Sequence, residues 1–171
     1  MRIIGHGISL RPLSSEDLSF IVELDSDPRV TEHLPGAAEA SREERRAWLE
    51  SLHQPTPEEP WGFFALELEG LSNPIGWLHL RPEKEQPQVW DLGWRMKAEF
   101  WGRGLAVRAA GVLICHAVKN LAASSVSAQP LSANSNSIGV MEKLGMNRES
   151  TFLWNDKLPA ERWVLEMHTG I

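Results

Sequence analysis

The sequence predicts an α/β protein with a mixed central sheet of about seven strands and flanking helices. Segments with apolar residues at every second position alternate along the chain with segments at helical spacing. Three consecutive strand signals form a meander, and a strand–helix–strand unit follows it. The 171 residues, 42% of them hydrophobic, suit one domain with a buried core. We therefore expect residues 1–171 to form a single domain.

The first third of the chain predicts one strand and three helices. Ile8–Arg11 alternates apolar and polar residues and ends at a proline, as a short strand would. Ser14–Asp25 has a serine cap, early acidic residues and apolar residues at helical spacing. Asp27 and Pro28 suit an N-cap and a first helical residue. Ser41–Leu52 opens with a capping box and predicts the third helix.

The middle of the chain predicts the centre of the sheet. Trp61–Glu69 and Ile75–Leu80 read as two strands, and the turn-rich segment Gly70–Pro74 between them predicts a hairpin. Gln88–Met96 is the third strand of the meander. These three strands should be antiparallel.

The last third predicts a crossover and a closing strand pair. Gly104–Leu121 is helical and leads to a strand at Ser124–Gln129, which should lie parallel to Gln88–Met96 through a right-handed crossover. Ser135–Leu144 predicts a helix that stops at a glycine. The remaining strands are Met146–Trp154 and Arg162–Met167.

Composition excludes several classes of protein. A formal charge of −6 argues against a nucleic-acid binder, which would carry a basic face. No apolar run approaches the ~20 residues of a membrane helix, and we see no secretory signal. The one cysteine, Cys115, favours a reducing, cytoplasmic setting and is expected to be a small core residue. No Cys/His set has metal-ligand spacing, so no metal is expected.

A glycine-rich turn opens the crossover helix. Trp101 is followed by Gly102 and Gly104. Amides at a helix start lack intrahelical partners and attract anions, and glycines let a ligand approach them. Val107 stands where a Rossmann fingerprint needs its third glycine, and the Gly-Lys-Ser/Thr end of a P-loop is absent. The turn therefore predicts either an unusual phosphate site or a plain structural turn.

Two longer blocks place this turn in context. DLGWRMKAEFWGRGLAVRAA and NSNSIGVMEKLGM, in this order and spacing, resemble the GCN5-related N-acetyltransferase (GNAT) family. The early LRPLSSEDLSFIVEL and DPRVTEHLP also look like the branch that acetylates N-terminal amines of ribosomal proteins. The resemblance covers most of the chain and implies the GNAT fold, with two parallel strands that splay apart.

The resemblance implies acetyl-CoA as co-substrate. Its diphosphate would bind the main-chain amides of the turn, and its pantetheine arm would lie in the gap between the splayed strands. The thioester carbonyl would point toward a main-chain amide near Met96, and Asn134 could bond the pantetheine amides. The implied diphosphate-binding turn comprises Gly102, Arg103, Gly104, Leu105 and Ala106. Departures from the family pattern are Trp101, Val107, Arg108 and Gly139.

The resemblance also implies catalytic roles. Asp91 aligns with an acidic residue of the branch and would take the amine proton directly or through water; the alternative is an ion-paired carboxylate. The chain has no tyrosine to serve as the acid, so Ser137 is the predicted donor to the departing thiolate, unless it only caps a helix. His33 lies in the region that faces the acceptor. His79 and His116 are expected to be structural.

These roles predict an N-acetyltransferase that acts by direct transfer in a ternary complex. The first choice of acceptor is the N-terminal α-amine of a protein or peptide, and a small amine such as a polyamine or aminoglycoside is the alternative. A non-catalytic acyl-CoA-binding module is the rival from another class. No nucleic acid or membrane partner is expected, and the sequence leaves a homodimer open.

Overall fold

The computed structural model describes residues 1–167 and shows one mixed sheet with helices on both faces. Residues 168–171, part of the predicted domain, lie outside the described residues. The strands are β1 Ile3–Gly5, β2 Ile8–Pro12, β3 Gly62–Leu68, β4 Gly76–Pro82, β5 Val89–Met96, β6 Ser125–Ala128, β7 Asn147–Trp154 and β8 Leu158–Glu166. The α-helices are α1 Leu18–Asp25, α2 Pro28–Thr31, α3 Arg42–Ser51, α4 Leu105–Leu121 and α5 Ser135–Lys143.

The sheet has eight strands in the order β1-β2-β3-β4-β5-β6-β8-β7. Every neighbouring pair is antiparallel except β5 and β6, which are parallel. The helix α4 connects this parallel pair. The predicted α/β class, the antiparallel meander and the parallel crossover are thus confirmed.

The strand count is one higher than predicted because the N-terminus forms a hairpin. β1 has three residues and pairs with β2, and the two residues of the turn, His6 and Gly7, have positive φ angles of 52° and 76°. Three residues are too few to show the alternation of apolar and polar residues that predicts a strand. β8 also begins earlier than predicted, at Leu158, because Asn155 and Asp156 make a tight turn with positive φ that pairs Trp154 with Leu158.

The helix ends follow the predicted capping residues. Ser14 and Ser41 each form a capping box with the acidic residue three positions later, and Asp27 caps α2. The first turn after Ser14 is a 3-10 turn that runs into α1. None of the helices within residues 1–167 has the length and hydropathy that crossing a bilayer would require.

The core has a main cluster on each face of the sheet. On one face, Leu78, Leu80 and Leu92 pack with the buried side of α4. On the other, Ala65 and Trp77 pack with α1 and α3. Cys115 was expected in the core but is exposed, because it lies on the same outer stripe of α4 as the exposed Arg108 and Lys119.

Candidate active site

The parallel strands β5 and β6 separate part-way along their length. Their register pairs Val89 with Ser125 and ends with Asp91 beside Ser127. β5 continues to Met96 without a partner on this side. A cleft of about 480 Å³ opens here, and its lining includes β5 from Asp91 to Met96.

The chain after β6 explains why the strands separate. Beyond Ala128 it follows β8 and not β5. The Glu161 amide donates to the Pro130 carbonyl oxygen at 2.9 Å, and the Ser132 amide donates to the Pro159 carbonyl oxygen at 2.8 Å. Because these bonds draw the segment toward β8, the free side of β5 faces the cleft.

The start of α4 has the features of a diphosphate site. Gly104 is its N-cap with φ of 71°, and Gly102 has φ of 74°. No side chain caps the helix, and a Cβ built on either glycine would meet nothing within 4 Å. The amides of residues 103–106 donate no hydrogen bond within the described part of the chain. An open helix start of this kind suits the diphosphate of CoA.

The turn is tied to the end of β5. Trp101 donates from Nε1 to the Met96 carbonyl oxygen at 2.9 Å, and its ring lines the cleft. The Arg103 guanidinium lies over the Phe100 ring, 5.5 Å from its centre, and the residue is exposed. Trp101 therefore fixes the glycine turn beside the end of β5 and next to the cleft.

The cleft brings together five of the predicted site residues. Its lining includes His33, Asp91, Met96, Asn134 and Ser137, which come from three separate parts of the sequence: the end of α2, β5 and the start of α5. The turn from Gly102 to Ala106 does not line this cleft. The structure therefore places the predicted catalytic residues in the cleft and the predicted diphosphate-binding turn outside it, as a long ligand such as acetyl-CoA requires.

Asn134 and Ser137 lie at the start of α5. The Asn134 Oδ1 atom accepts a hydrogen bond from the Ser137 amide at 3.1 Å, so Asn134 is the helix N-cap. Its side-chain NH₂ group takes no part in this cap. The Ser137 hydroxyl makes no hydrogen bond within residues 1–167. Ser137 can thus reach a group that enters the cleft.

Asp91 is held by a histidine and an arginine. Its Oδ2 atom accepts from His79 Nε2 at 3.0 Å and from Arg81 Nε at 2.8 Å. Burial alone would raise the pKa of Asp91, but the hydrogen bond and charge of His79, together with Arg81, outweigh it and lower the pKa to about 2. The sequence left an ion-paired carboxylate open as the alternative to a base, and the structure shows this pairing. A base role for Asp91 itself stays a prediction.

The low pKa of Asp91 predicts a pH-dependent contribution to stability. Because the pKa is lower in the folded state than its ordinary value of 3.8, the stabilisation is complete above that value and is lost as the pH falls toward about 2. Asp91→Asn should lower the free energy of unfolding by about 2 kcal/mol at neutral pH. Urea unfolding of both proteins from about pH 7 down to about pH 3 measures the difference, which should shrink with acidification. A difference that stays constant with pH would contradict the ion pair.

His79, for which the sequence predicts a structural role, lines the cleft. Its ring lies beside Phe63 and Trp77, at centroid distances of 5.0 and 6.1 Å, and it borders both the cleft and a neighbouring pocket of about 410 Å³. Its cross-strand partner is Gly93. A glycine on an otherwise large-residue strand was the one sequence signal that a ring lies there.

The arginines of the site were also missed. Arg95 on β5 lines both cavities and lies over the Trp77 ring, 5.1 Å from its centre. Its Nη1 atom donates to the buried Asp25 of α1 at 2.6 Å, and Arg45 of α3 binds the same carboxylate at 3.1 Å. His33 follows α2, lines the cleft and lies 3.8 Å from Glu32. No cluster of three metal-ligating side chains occurs within residues 1–167.

Comparison with known proteins decides the family. Residues 8–147 match the model of the acetyltransferase (GNAT) domain. The chain belongs to the GNAT acetyltransferase family. This membership covers the strand gap, the glycine turn and the start of α5, and it confirms an acyltransferase that uses acetyl-CoA as co-substrate.

This GNAT protein has a relative that is similar to it over most of its sequence. It is 28% identical over 156 residues to the Aspergillus fumigatus FsC-acetyl coenzyme A-N(2)-transacetylase, covering 85% of this chain and 64% of that protein. The chain thus spans a little under two thirds of that relative's length.

Two solved structures share the fold at lower identity. RimL, a ribosomal L7/L12 alpha-N-protein acetyltransferase in complex with coenzyme A, superposes with a TM-score of 0.81 at 14% identity, covering 99% of this chain and 100% of that one. The aminoglycoside acetyltransferase AAC(6')-Ib in complex with coenzyme A gives 0.76 at 19% identity, covering 93% and 94%. At these identities the likeness establishes the GNAT fold and leaves the acceptor open.

Proposed function

We propose that this protein moves an acetyl group from acetyl-CoA to the primary α-amine of a peptide or protein N-terminus. The observation that carries the proposal is that Trp101 ties the turn with the open amides of α4 to the end of β5, where the gap between β5 and β6 lies. A diphosphate on the amides and a thioester in the gap would fit this arrangement. Acetyl-CoA supplies an activated acyl carbon there.

Different residues of the chain bind or activate different parts of acetyl-CoA. The main-chain amides from Arg103 to Ala106 bind the diphosphate, and the side-chain NH₂ group of Asn134 faces the pantetheine arm. A main-chain amide near Met96 stabilises the carbonyl oxygen as negative charge develops on it. The Ser137 hydroxyl donates a proton to the departing sulfur. Together these groups hold the acyl carbon in a geometry that the amine can attack, which lowers the barrier by several kcal/mol.

The charges around the cleft favour an acceptor with one positive charge over a polycation. Asp91 is neutralised by Arg81, and Asp25 is held between two arginines. Glu44 is engaged in the cap of α3. A polyamine or aminoglycoside would need several free carboxylates to bind its positive charges. Within residues 1–167, Glu32 is the one acidic residue bordering the two cavities that has neither an arginine partner nor a role in a helix cap.

Aromatic side chains suit a peptide acceptor. The cleft is lined by Trp77, Trp94, Trp101 and Trp154. Trp154 is 39% exposed, and its cross-strand partner Leu158 is 37% exposed. An exposed apolar rim of this kind suits the side chains that follow an N-terminal residue. The relatives act on protein and on aminoglycoside amines according to their names, so the acceptor needs its own experiment.

The test is an acetylation panel read by release of CoA thiol and by mass spectrometry. It contains peptides with a free N-terminus, the same peptides blocked at the N-terminus but carrying lysine, spermidine, and an aminoglycoside. We expect acetylation of the free α-amines only. Acetylation of spermidine or the aminoglycoside in preference to every peptide would replace our acceptor with a small amine. Binding of CoA without turnover on any amine would indicate a non-catalytic module.

A further inference from the structure

We propose that His79 is the proton acceptor for the amine and that Asp91 is a positioning residue that acts through it. The inference rests on the proposed function, because it concerns the same acceptor amine. It changes the assignment that the sequence suggested, in which Asp91 took the proton and His79 was structural. The geometry of three neighbouring residues on β4 and β5 supports it.

The Asp91 contact fixes which nitrogen of His79 is left for a ligand. His79 Nε2 lies 3.0 Å from Asp91 Oδ2, so a neutral ring bears its proton on Nε2 and its lone pair on Nδ1. Nδ1 is buried and has no protein partner within the described residues. An unpaired buried polar atom costs about 1–3 kcal/mol, and His79 is one of the residues that line the cleft, so a ligand that reaches Nδ1 from the cleft recovers this cost. An amine is such a ligand.

Gly93 makes room for the imidazole. A Cβ at position 93 would lie 2.3 Å from His79 Cε1 and 2.9 Å from Nδ1, which no folded protein tolerates without displacement of the ring. Phe63 and Trp77 border the ring as well. The imidazole is therefore confined between β5 and two aromatic side chains, in an orientation that its bond to Asp91 completes.

Asp91 is a poor proton acceptor in its own right. A carboxylate that is paired with Arg81 and His79 and has a pKa of about 2 binds a proton far too weakly to take one from an ammonium group. An imidazole changes charge between about pH 5 and pH 8, which suits that task. The same carboxylate then stabilises the imidazolium that results, as a paired acid does beside a general base.

The proton transfers balance. Nδ1 of His79 takes one proton from the ammonium group, and the free lone pair of the amine forms the new bond to the acyl carbon. The carbon–sulfur bond breaks and its electron pair leaves on sulfur. The nitrogen gives up a second proton, which reaches sulfur through the Ser137 hydroxyl. His79 releases its proton to solvent, so the products are an amide, a thiol and one proton.

Charged groups from several elements surround His79 and must be considered in any pH profile. The nearest are Asp91 and Arg81, and Arg95 lies on the same strand as Asp91. The others that border the two cavities are Arg29, Glu32 and His33 on one side and Asp25, Glu44 and Arg45 on the other. Of these groups, His33 is the other histidine, so it is replaced in a parallel control.

The kinetic test compares His79→Gln with wild type on the best α-amine acceptor. We expect kcat to fall about a hundredfold or more. In wild type, kcat/KM should decrease as the pH falls through the range in which imidazoles titrate, and His79→Gln should lack this decrease, the acidic limb of the profile. Asp91→Asn should lower kcat about ten- to a hundredfold. His33→Gln should retain the acidic limb. His116→Gln, whose imidazole contacts the Pro60 carbonyl on the far side of α4, should match wild type in both respects.

Gly93→Ala provides a second variant. Its added Cβ should displace the imidazole and lower kcat, while in the His79→Gln background the same alanine should cost much less. CoA affinity and melting temperature are measured for every variant, so that a folding defect is separated from a chemical one.

Nitrogen NMR of histidine-labelled protein tests the geometry without turnover. We expect His79 to hold its proton on Nε2 in wild type, to lose that preference in Asp91→Asn, and to shift at Nδ1 when acceptor is added with CoA. A proton on Nδ1 in wild type, or no shift on acceptor binding, would overturn the inference.

The kinetic outcomes separate this inference from the proposed function. If wild type acetylates an amine and His79→Gln retains its kcat and acidic limb, the role of His79 is wrong and the acetyltransferase stands. If wild type binds CoA but acetylates nothing in the panel, both are wrong.

Discussion

Gly104→Asp is expected to weaken CoA binding by about a hundredfold or more, because a carboxylate placed within a few ångströms of a diphosphate costs several kcal/mol. The substituted residue would also accept hydrogen bonds from the amides that the diphosphate needs. Nothing lies within 4 Å of a Cβ at this position, so the change introduces no clash. Titration calorimetry with CoA measures the loss directly.

Gly104→Asn is the matched control for charge. Asparagine and aspartate have the same size and adopt the left-handed backbone of this position, φ of 71°, more readily than other residues with a side chain. Valine is a poor probe here, because a β-branched residue would be strained and would lose stability for an unrelated reason. We expect the asparagine variant to bind CoA better than the aspartate variant by about tenfold or more. Equal affinity for wild type and Gly104→Asp would place the diphosphate elsewhere.

Asp25→Asn is expected to lower the free energy of unfolding by about 3–5 kcal/mol. Asp25 is 5% exposed and its two oxygens bind Arg95 at 2.6 Å and Arg45 at 3.1 Å, so its charge joins α1, α3 and β5. Without that charge two largely buried guanidinium groups face each other uncompensated. Urea unfolding at neutral pH measures the change.

Glu43→Gln is the control for this result. Glu43 is 80% exposed and lies 3.7 Å from Arg46 on the outer side of α3, where solvent screens the pair. We expect its stability to stay close to that of wild type. Combining Asp25→Asn with Arg45→Met should recover part of the loss, since one of the two uncompensated charges is then removed. A loss in Asp25→Asn no larger than in Glu43→Gln would mean that the Asp25 cluster does not hold the helices to the sheet.

The predictable part of the fold was the part that local patterns determine. Capping boxes at Ser14 and Ser41 and the left-handed Gly145 set helix ends by short-range hydrogen bonds, and all three were readable. β1 was missed because three residues carry no periodicity. Cys115 was misplaced because residue type suggested burial, while its position on α4 puts it on the outer stripe. The cytoplasmic location and the homodimer stay predictions.

The part of the site that uses main-chain amides was predictable from the sequence. The part that depends on side chains pairing across strands was less so. Gly102 and Gly104 signal a bare helix start within one short segment. The partners of Asp91 lie on β4, 12 and 10 residues earlier in the chain, and the Asp25 contact to Arg95 spans 70 residues. Such pairings depend on the register of strands and the docking of helices, which no single segment encodes. The contact between His79 and Asp91 was missed for this reason.

A crystal structure of the complex with CoA tests the central claim most directly. The account predicts the diphosphate on the amides of Arg103 to Ala106, and the pantetheine arm between β5 and the segment that follows β6, with its sulfur near Ser137. A diphosphate bound away from the start of α4, or β5 and β6 closed against each other with the arm on the outer surface, would contradict it.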